Sequence, residues 1–191
     1  HVLDAGLYRE LAAAVAEAAP DMLLQVTTEA AGRYGPAAQA ALVRELCPRC
    51  VSVALREMVP DAASEAHAAR FYAFASEAGI GVQHILYDAA DARRLVALTA
   101  AGVVPEGMSA RLLVLGRYTA EGGRPEDLAA FPDAGGAAWC ACAFGPREAA
   151  CLEAAMRAGG HARTGFENNL ALPDGGQAPS TAALVAVVAA S

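Results

Sequence analysis

Six short runs rich in β-branched and other apolar residues recur along the chain at one steady interval. They cover residues 22–28 (MLLQVTT), 51–55 (VSVAL), 81–87 (GVQHILY), 111–116 (RLLVLG), 138–144 (AWCACAF) and 162–166 (ARTGF). Successive runs start roughly 30 residues apart, the length of one strand plus one crossover helix. The intervening stretches carry helix formers at residues 4–19, 36–46, 63–78, 89–101, 125–131, 146–158 and 179–190. Pro36, Pro125, Pro146 and Pro179 stand where a first helical turn accepts proline, and Gly79, Gly102 and Gly159 stand where helices stop. Strands that alternate with helix-length crossovers pair in parallel. The class is therefore α/β.

Two parallel architectures share this alternation, the doubly wound open sheet and the (β/α)8 barrel. The even interval favours the barrel, in which every unit is equivalent, but a barrel closes only with eight strands in ~250 residues. Six strands would leave two edges unpaired. Either the chain is an open sheet, or roughly one and a half to two βα units are missing from the front of a barrel.

Composition excludes several chemistries. All 14 basic residues are arginine, so no Schiff-base lysine, pyridoxal-phosphate lysine or Walker-A lysine exists in the chain. The net charge is −7, with no basic run to suit nucleic acid. Although 55% of residues are hydrophobic, no window approaches the ~18 consecutive apolar residues of a membrane-spanning helix. Five cysteines, an odd number, read as reduced thiols and place the protein in the cytoplasm. Cys47-Pro48-Arg49-Cys50 has the C-x2-C spacing but no second pair, and Cys140 and Cys142 read as small core residues. No Gly-x-Gly-x-x-Gly, Gly-x-Ser-x-Gly or His-Glu-x-x-His run is present.

Polar residues gather at the carboxyl ends of the candidate strands, where both architectures place their sites. Strand alternation puts Gln25, Thr27 and Glu29 on one face, Gln83, Ile85 and Tyr87 on another, and Arg163, Gly165 and Glu167 on a third. Buried polar faces cost energy unless paired or functional, which points to a polar pocket. Gln25, Glu29, Glu57, Gln83, Tyr87 and Arg117 are its candidate substrate contacts. On one extended strand Arg163 and Glu167 would stand about 13 Å apart, too far to pair directly. Glu167 then suits a divalent metal or a base, and Arg163 a carboxylate; a structural layer of ion pairs is the other reading. His84 reads as a packed core histidine. Arg56 and Glu57 end the second strand, and Gly159-Gly160 reads as a helix C-cap.

The run Gly159-Gly160-His161-Ala162-Arg163-Thr164-Gly165-Phe166-Glu167-Asn168-Asn169 resembles the signature of the β-keto acid cleavage enzymes, the family of the 3-keto-5-aminohexanoate cleavage enzyme. Supporting similarities include Leu3-Asp4 with Tyr8-Arg9, Gln25-Val26-Thr27-Thr28, Pro48 to Ser52, Val114-Leu115-Gly116, Trp139, and Ala178-Pro179-Ser180 with Leu184-Val185. The resemblance implies a zinc-dependent (β/α)8 barrel, a single domain over residues 1–191 without its first strand, first helix and second strand, that condenses a β-keto acid with acetyl-CoA, giving acetoacetate and a new acyl-CoA. It implies Glu167 as a metal ligand, Arg163 as a catalytic residue, and Thr27 as a hydroxyl near the substrate. It further implies a homo-oligomer, with a tetramer among the forms.

Three departures qualify this picture. The His-x-His zinc pair of the family has no counterpart, because His1, His67, His84 and His161 are isolated. The partners of Glu167 are accordingly expected upstream of residue 1. Asn168 occupies the catalytic position after the glutamate where the type enzyme has an acid; an amide accepts no proton, so Glu29 or Glu57 is left to do so. Apolar Ile85 replaces an acidic substrate-side residue, which argues against an amine-bearing keto acid. The rival readings are a class II-type metal aldolase or lyase acting without coenzyme A, and a non-catalytic paralogue that binds a carboxylate.

Overall fold

A computed structural model describes residues 2–117, 119–133 and 135–190. His1, named above among the isolated histidines, lies outside the described residues. The chain divides into two compact units, one of residues 1–85 with 94–109, the other of residues 86–93 with 110–191.

The first unit opens on α1 (Ala5–Ala18), whose first turn is capped by the Asp4 carboxylate accepting from the Leu7 amide at 3.0 Å. Then come β1 (Gln25–Thr27), α2 (Pro36–Leu46), β2 (Cys50–Ala54), the short helix α3 (Leu55–Met58), α4 (Glu65–Glu77) and β3 (Gly81–Leu86). The strands pair in parallel in the order β1-β2-β3, with Thr27 opposite Ser52 and Ser52 opposite Gln83. Helix α5 (Ala89–Ala100) follows β3. In α4 the buried residues Ala68, Phe71, Tyr72 and Ala75 repeat at helical spacing. That spacing is the apolar stripe that covers a sheet. Both faces of β2 are buried, Val51 and Val53 on one and Ser52 and Ala54 on the other. His84 is buried as expected. Its Nε2 donates to the Met108 carbonyl at 2.9 Å, which leaves Nδ1 to accept from the Tyr72 hydroxyl at 3.4 Å.

The second unit contains β4 (Arg111–Leu115), β5 (Trp139–Ala143), α6 (Glu148–Arg157), β6 (His161–Ala162) and α7 (Thr181–Ala189). Its strands are parallel in the order β4-β5-β6. Helix α6 buries Glu148, Cys151, Leu152 and Ala155 at the same helical spacing, and Cys151 packs with Leu115 and Ala143. Sequential order with parallel pairing and helical crossovers is the pattern of a stretch of (β/α) barrel.

Several expected boundaries shift for local reasons. Residues 22–24 precede the Gln25–Cys50 pair at which the ladder with β2 begins, so Met22 and Leu23 stay exposed. Residues 125–130 form a 3-10 helix instead of an α-helix, and Arg56 and Glu57 open α3 instead of closing β2. Pro36 does sit in the first turn of α2, but Pro146 and Pro179 stand outside α6 and α7; Ser180 caps α7 by accepting from the Ala183 amide. Gly79, Gly102 and Gly159 have positive φ at helix ends, as expected. The largest correction concerns the last strand. It ends at Ala162, because the chain turns at Gly165, where the carbonyl accepts from the Asn168 and Asn169 amides at 2.9 and 3.3 Å.

Gly116 ends β4 with φ +74°, and a Cβ there would lie 1.9 Å from the Gly123 backbone nitrogen. The two chain segments can approach this closely only without a side chain. Gly116→Ala should therefore cost about 3 kcal/mol or more, combining left-handed strain with overpacking. Denaturant unfolding measures this, and a loss under about 1 kcal/mol would contradict the tight approach.

Candidate active site

In the first unit, in-register pairing gathers one polar face. Gln25, Thr27, Cys50, Ser52, Gln83 and Ile85 lie on the same side of β1, β2 and β3. Gln25 reaches across β2 and donates from Nε2 to Gln83 Oε1 at 3.1 Å. Thr27 is held at both ends, its carbonyl accepting from the Tyr8 hydroxyl at 2.9 Å and its Oγ1 accepting from the Glu29 amide at 3.2 Å. Glu29 lies just past the end of β1, where its charge together with burial raises the Tyr8 phenol above its ordinary pKa; burial is the larger cause. Glu57 leaves α3 toward the same loop, and its Oε2 accepts from the Ala30 amide at 2.9 Å. The structure thus brings Gln25 and Gln83 together on the polar face, and Glu29 and Glu57 onto the loop that follows β1.

In the second unit, Arg117 follows β4 and stacks its guanidinium over two rings, 5.6 Å from the Tyr87 centroid and 5.3 Å from that of Phe144. Arg163 continues past β6, its amide still donating to Ala141 at 2.9 Å. Arg163 and Glu167, expected four residues apart on an extended strand and beyond each other's reach, instead form an ion pair. The turn at Gly165 doubles the chain back and removes the 13 Å of strand rise that would have separated them. The pair is partly solvated, so its net contribution to stability is small. That leaves the guanidinium able to exchange partners.

Asn168 is buried, and neither its Nδ2 nor its Oδ1 has a hydrogen-bond partner among the described residues. Its carbonyl accepts from the Gly145 amide at 3.0 Å, tying the turn to the end of β5. Cys142, on β5, is no nucleophile. Burial pushes its thiol up to about 11, with Arg163 pulling weakly the other way. Burial likewise raises Cys151 to about 11, whereas Cys47 is exposed and Cys50 partly so.

Glu148 escapes sequence inspection. An acid in a first helical turn normally reads as a solvated partner of the helix dipole, yet this one is only 2% exposed. Its Oε2 accepts from Asn169 Nδ2 at 3.4 Å, and Oε1 has no hydrogen-bond partner among the described residues. Burial raises its pKa, while Thr164, Asn169 and the Gly165 backbone lower it in part. The only hint in the sequence is its place directly after Gly145-Pro146-Arg147, where β5 passes into α6.

A zinc centre needs three or more converging side chains. Among the described residues no group of three His, Cys, Asp or Glu side chains converges, and Glu167 is already engaged by Arg163. The residues described do not by themselves fit a zinc centre.

The charged and amide side chains at the carboxyl ends of these parallel strands stand where parallel α/β enzymes carry their sites. The family model for beta-keto acid cleavage enzymes matches residues 1–191. The chain belongs to that family. No curated protein matches it. No helix among the described residues is long and apolar enough to cross a membrane.

Two measurements probe these environments. Thiol titration of the native protein should modify Cys47 and, more slowly, Cys50, with Cys140, Cys142 and Cys151 reacting only after unfolding; fast reaction of a third thiol would contradict their burial. Because folding raises the Glu148 pKa, its contribution is greatest at low pH and declines as pH rises through the carboxylate range. Between about pH 4 and 7 the parent should therefore lose stability relative to Glu148→Gln. A constant difference across that range would overturn the assignment.

Proposed function

We propose that this protein cleaves a β-keto acid with acetyl-CoA, producing acetoacetate and a new acyl-CoA. Membership of the beta-keto acid cleavage enzymes carries the reading, and the Arg163–Glu167 turn supplies the chemistry that suits it. In this exchange the acyl group leaves the methylene carbon of the keto acid and ends on the CoA sulfur. The acetyl group makes the reverse transfer. One C–C and one C–S bond break and one of each forms, so no oxidant or reductant enters.

The substrate is an anion throughout, and a guanidinium can hold its carboxylate through two parallel hydrogen bonds. Arg163 takes that role, its bond to Glu167 yielding as the carboxylate arrives. Glu167, released from that bond, is an acid–base group beside the substrate carboxylate. In the first unit the Thr27 hydroxyl, Gln25 and Gln83 form a polar face suited to a keto group, and Glu29 and Glu57 are carboxylates able to accept a proton, which the Asn168 amide is not. Arg117, stacked between Tyr87 and Phe144, offers a fixed positive charge for the CoA ester. Zinc, as the Lewis acid of this chemistry, remains part of the proposal only with ligands beyond the described residues, and none of these roles depends on it. The reading further places the protein in the cytoplasm as a homo-oligomer.

Incubation with a panel of β-keto acids should yield acetoacetate only when acetyl-CoA is present. Acetyl-CoA-independent cleavage would replace the proposal with an aldolase or lyase. Arg163→Met should lower kcat/KM by about 100-fold, mainly through KM for the keto acid, as expected for a lost charged hydrogen bond. Glu167→Gln should lower kcat by about 100-fold. Unchanged turnover in Glu167→Gln would remove Glu167 from the reaction.

A further inference from the structure

Glu148 is a carboxylate of the second unit that the proposed reaction does not use, and it is almost completely buried. Its contacts converge on a single stretch of chain. Oε2 accepts from Asn169 Nδ2 at 3.4 Å, and Thr164 and the Gly165 backbone lie near enough to lower the carboxyl pKa in part. Asn169 in turn holds the chain beyond the turn, donating from Nδ2 to the Ala171 carbonyl at 2.7 Å and accepting the Ala171 amide on Oδ1 at 3.0 Å. All these partners lie between Arg163 and Ala171, the stretch that carries Arg163, Glu167 and Asn168.

The geometry points to Glu148 as the positioning residue of the Arg163–Glu167 turn. Extended pairing stops at Arg163, so the sheet ladder no longer fixes the chain at the residues that matter. Among the described residues the backbone of the turn is held by its own hydrogen bonds to Gly165 and by the Gly145–Asn168 bond to the end of β5. Such a segment would sample many arrangements if left on solvated contacts. Glu148 adds an acceptor fixed in the first turn of α6, a helix whose apolar stripe is anchored by Cys151, Leu152 and Ala155. The carboxylate faces the turn from a site that water does not reach, so its hydrogen bonds have no solvent competitor. Losing the Asn169 bond would leave Oε2 buried and unpaired as well, so the turn geometry that keeps this bond is favoured.

The inference rests on the β-keto acid reading only for the importance of the turn, and two readouts separate the two ideas. The first is hydrogen exchange at the Gly145, Asn168, Asn169 and Ala171 amides in the intact protein, in Glu148→Ala, Glu148→Gln and Leu152→Ala. Leu152→Ala removes a buried side chain from the same helix and reports what a general loss of stability does. In Glu148→Ala these four amides should exchange about tenfold faster than the change in β4 and β5 amides accounts for. Glu148→Gln, which keeps an acceptor at the same place, should restore them to within about threefold of the parent. If Glu148→Ala speeds the turn no more than Leu152→Ala of matched stability, the assignment is overturned.

The second readout is acetoacetate formation, where Glu148→Ala should lose about tenfold in kcat/KM, with Glu148→Gln recovering and Leu152→Ala unaffected. A loosened turn with unchanged turnover would overturn the role of Glu148 in the reaction. Absence of acyl transfer in the parent would overturn the proposed reaction, while the exchange data still decide what Glu148 holds.

Discussion

In-register parallel pairing is the constraint from which the rest of each unit follows. Side chains alternate across a strand, so aligning Thr27 with Ser52 and Gln83 sends polar residues to one face as a group. The opposite face receives Val26, Val51 and Val82, which are closed from water. A shift of one residue in any strand would exchange the two sets and bury amides against apolar helices, so the register is strongly specified. The helices are shaped by the same requirement. Helices α4 and α6 each present one stripe at helical spacing, Ala68, Phe71, Tyr72 and Ala75 on α4 and Glu148, Cys151, Leu152 and Ala155 on α6.

Where pairing stops, polar side chains take over the work of holding the backbone. Thr27 is pinned by Tyr8 and by the Glu29 amide, Ala30 by Glu57, and Asn169 by Glu148. These bonds lie at the carboxyl ends of the strands, and a charge held there has a defined position at little cost of reorganisation. Arg117 is placed differently, by the faces of two rings instead of by an acid. The family's chemistry, cleavage next to a carbonyl in an anionic substrate, draws on such fixed groups.

Much of the fold was legible because it rests on local periodicity. The alternation of strand and helix, the proline in the first turn of α2 and the glycine stops at Gly79, Gly102 and Gly159 depend on residues close in sequence. The packed state of His84 was legible too, since a lone histidine inside an apolar run has few other places to go. Pro146 and Pro179 were misplaced because proline is tolerated both inside and just before a helix, and only the capping bonds tell the two apart. For the site, its residue types and the ends of the strands that carry them could be read in advance, but its pairings could not.

The sequence by itself determined the α/β class, the polar character of one face and the exclusion of lysine chemistry, because periodicity and composition act residue by residue. Only the tertiary structure decided that Arg163 meets Glu167, that Asn168 is closed in without a side-chain partner among the described residues, and that Glu148 is buried beneath their turn. The physical reason is the same for all three. Whether a strand continues or turns at Gly165 depends on a few hydrogen bonds to Gly165 and from Gly145, and whether an acid is solvated depends on what covers it. Neither is a property of the neighbouring letters.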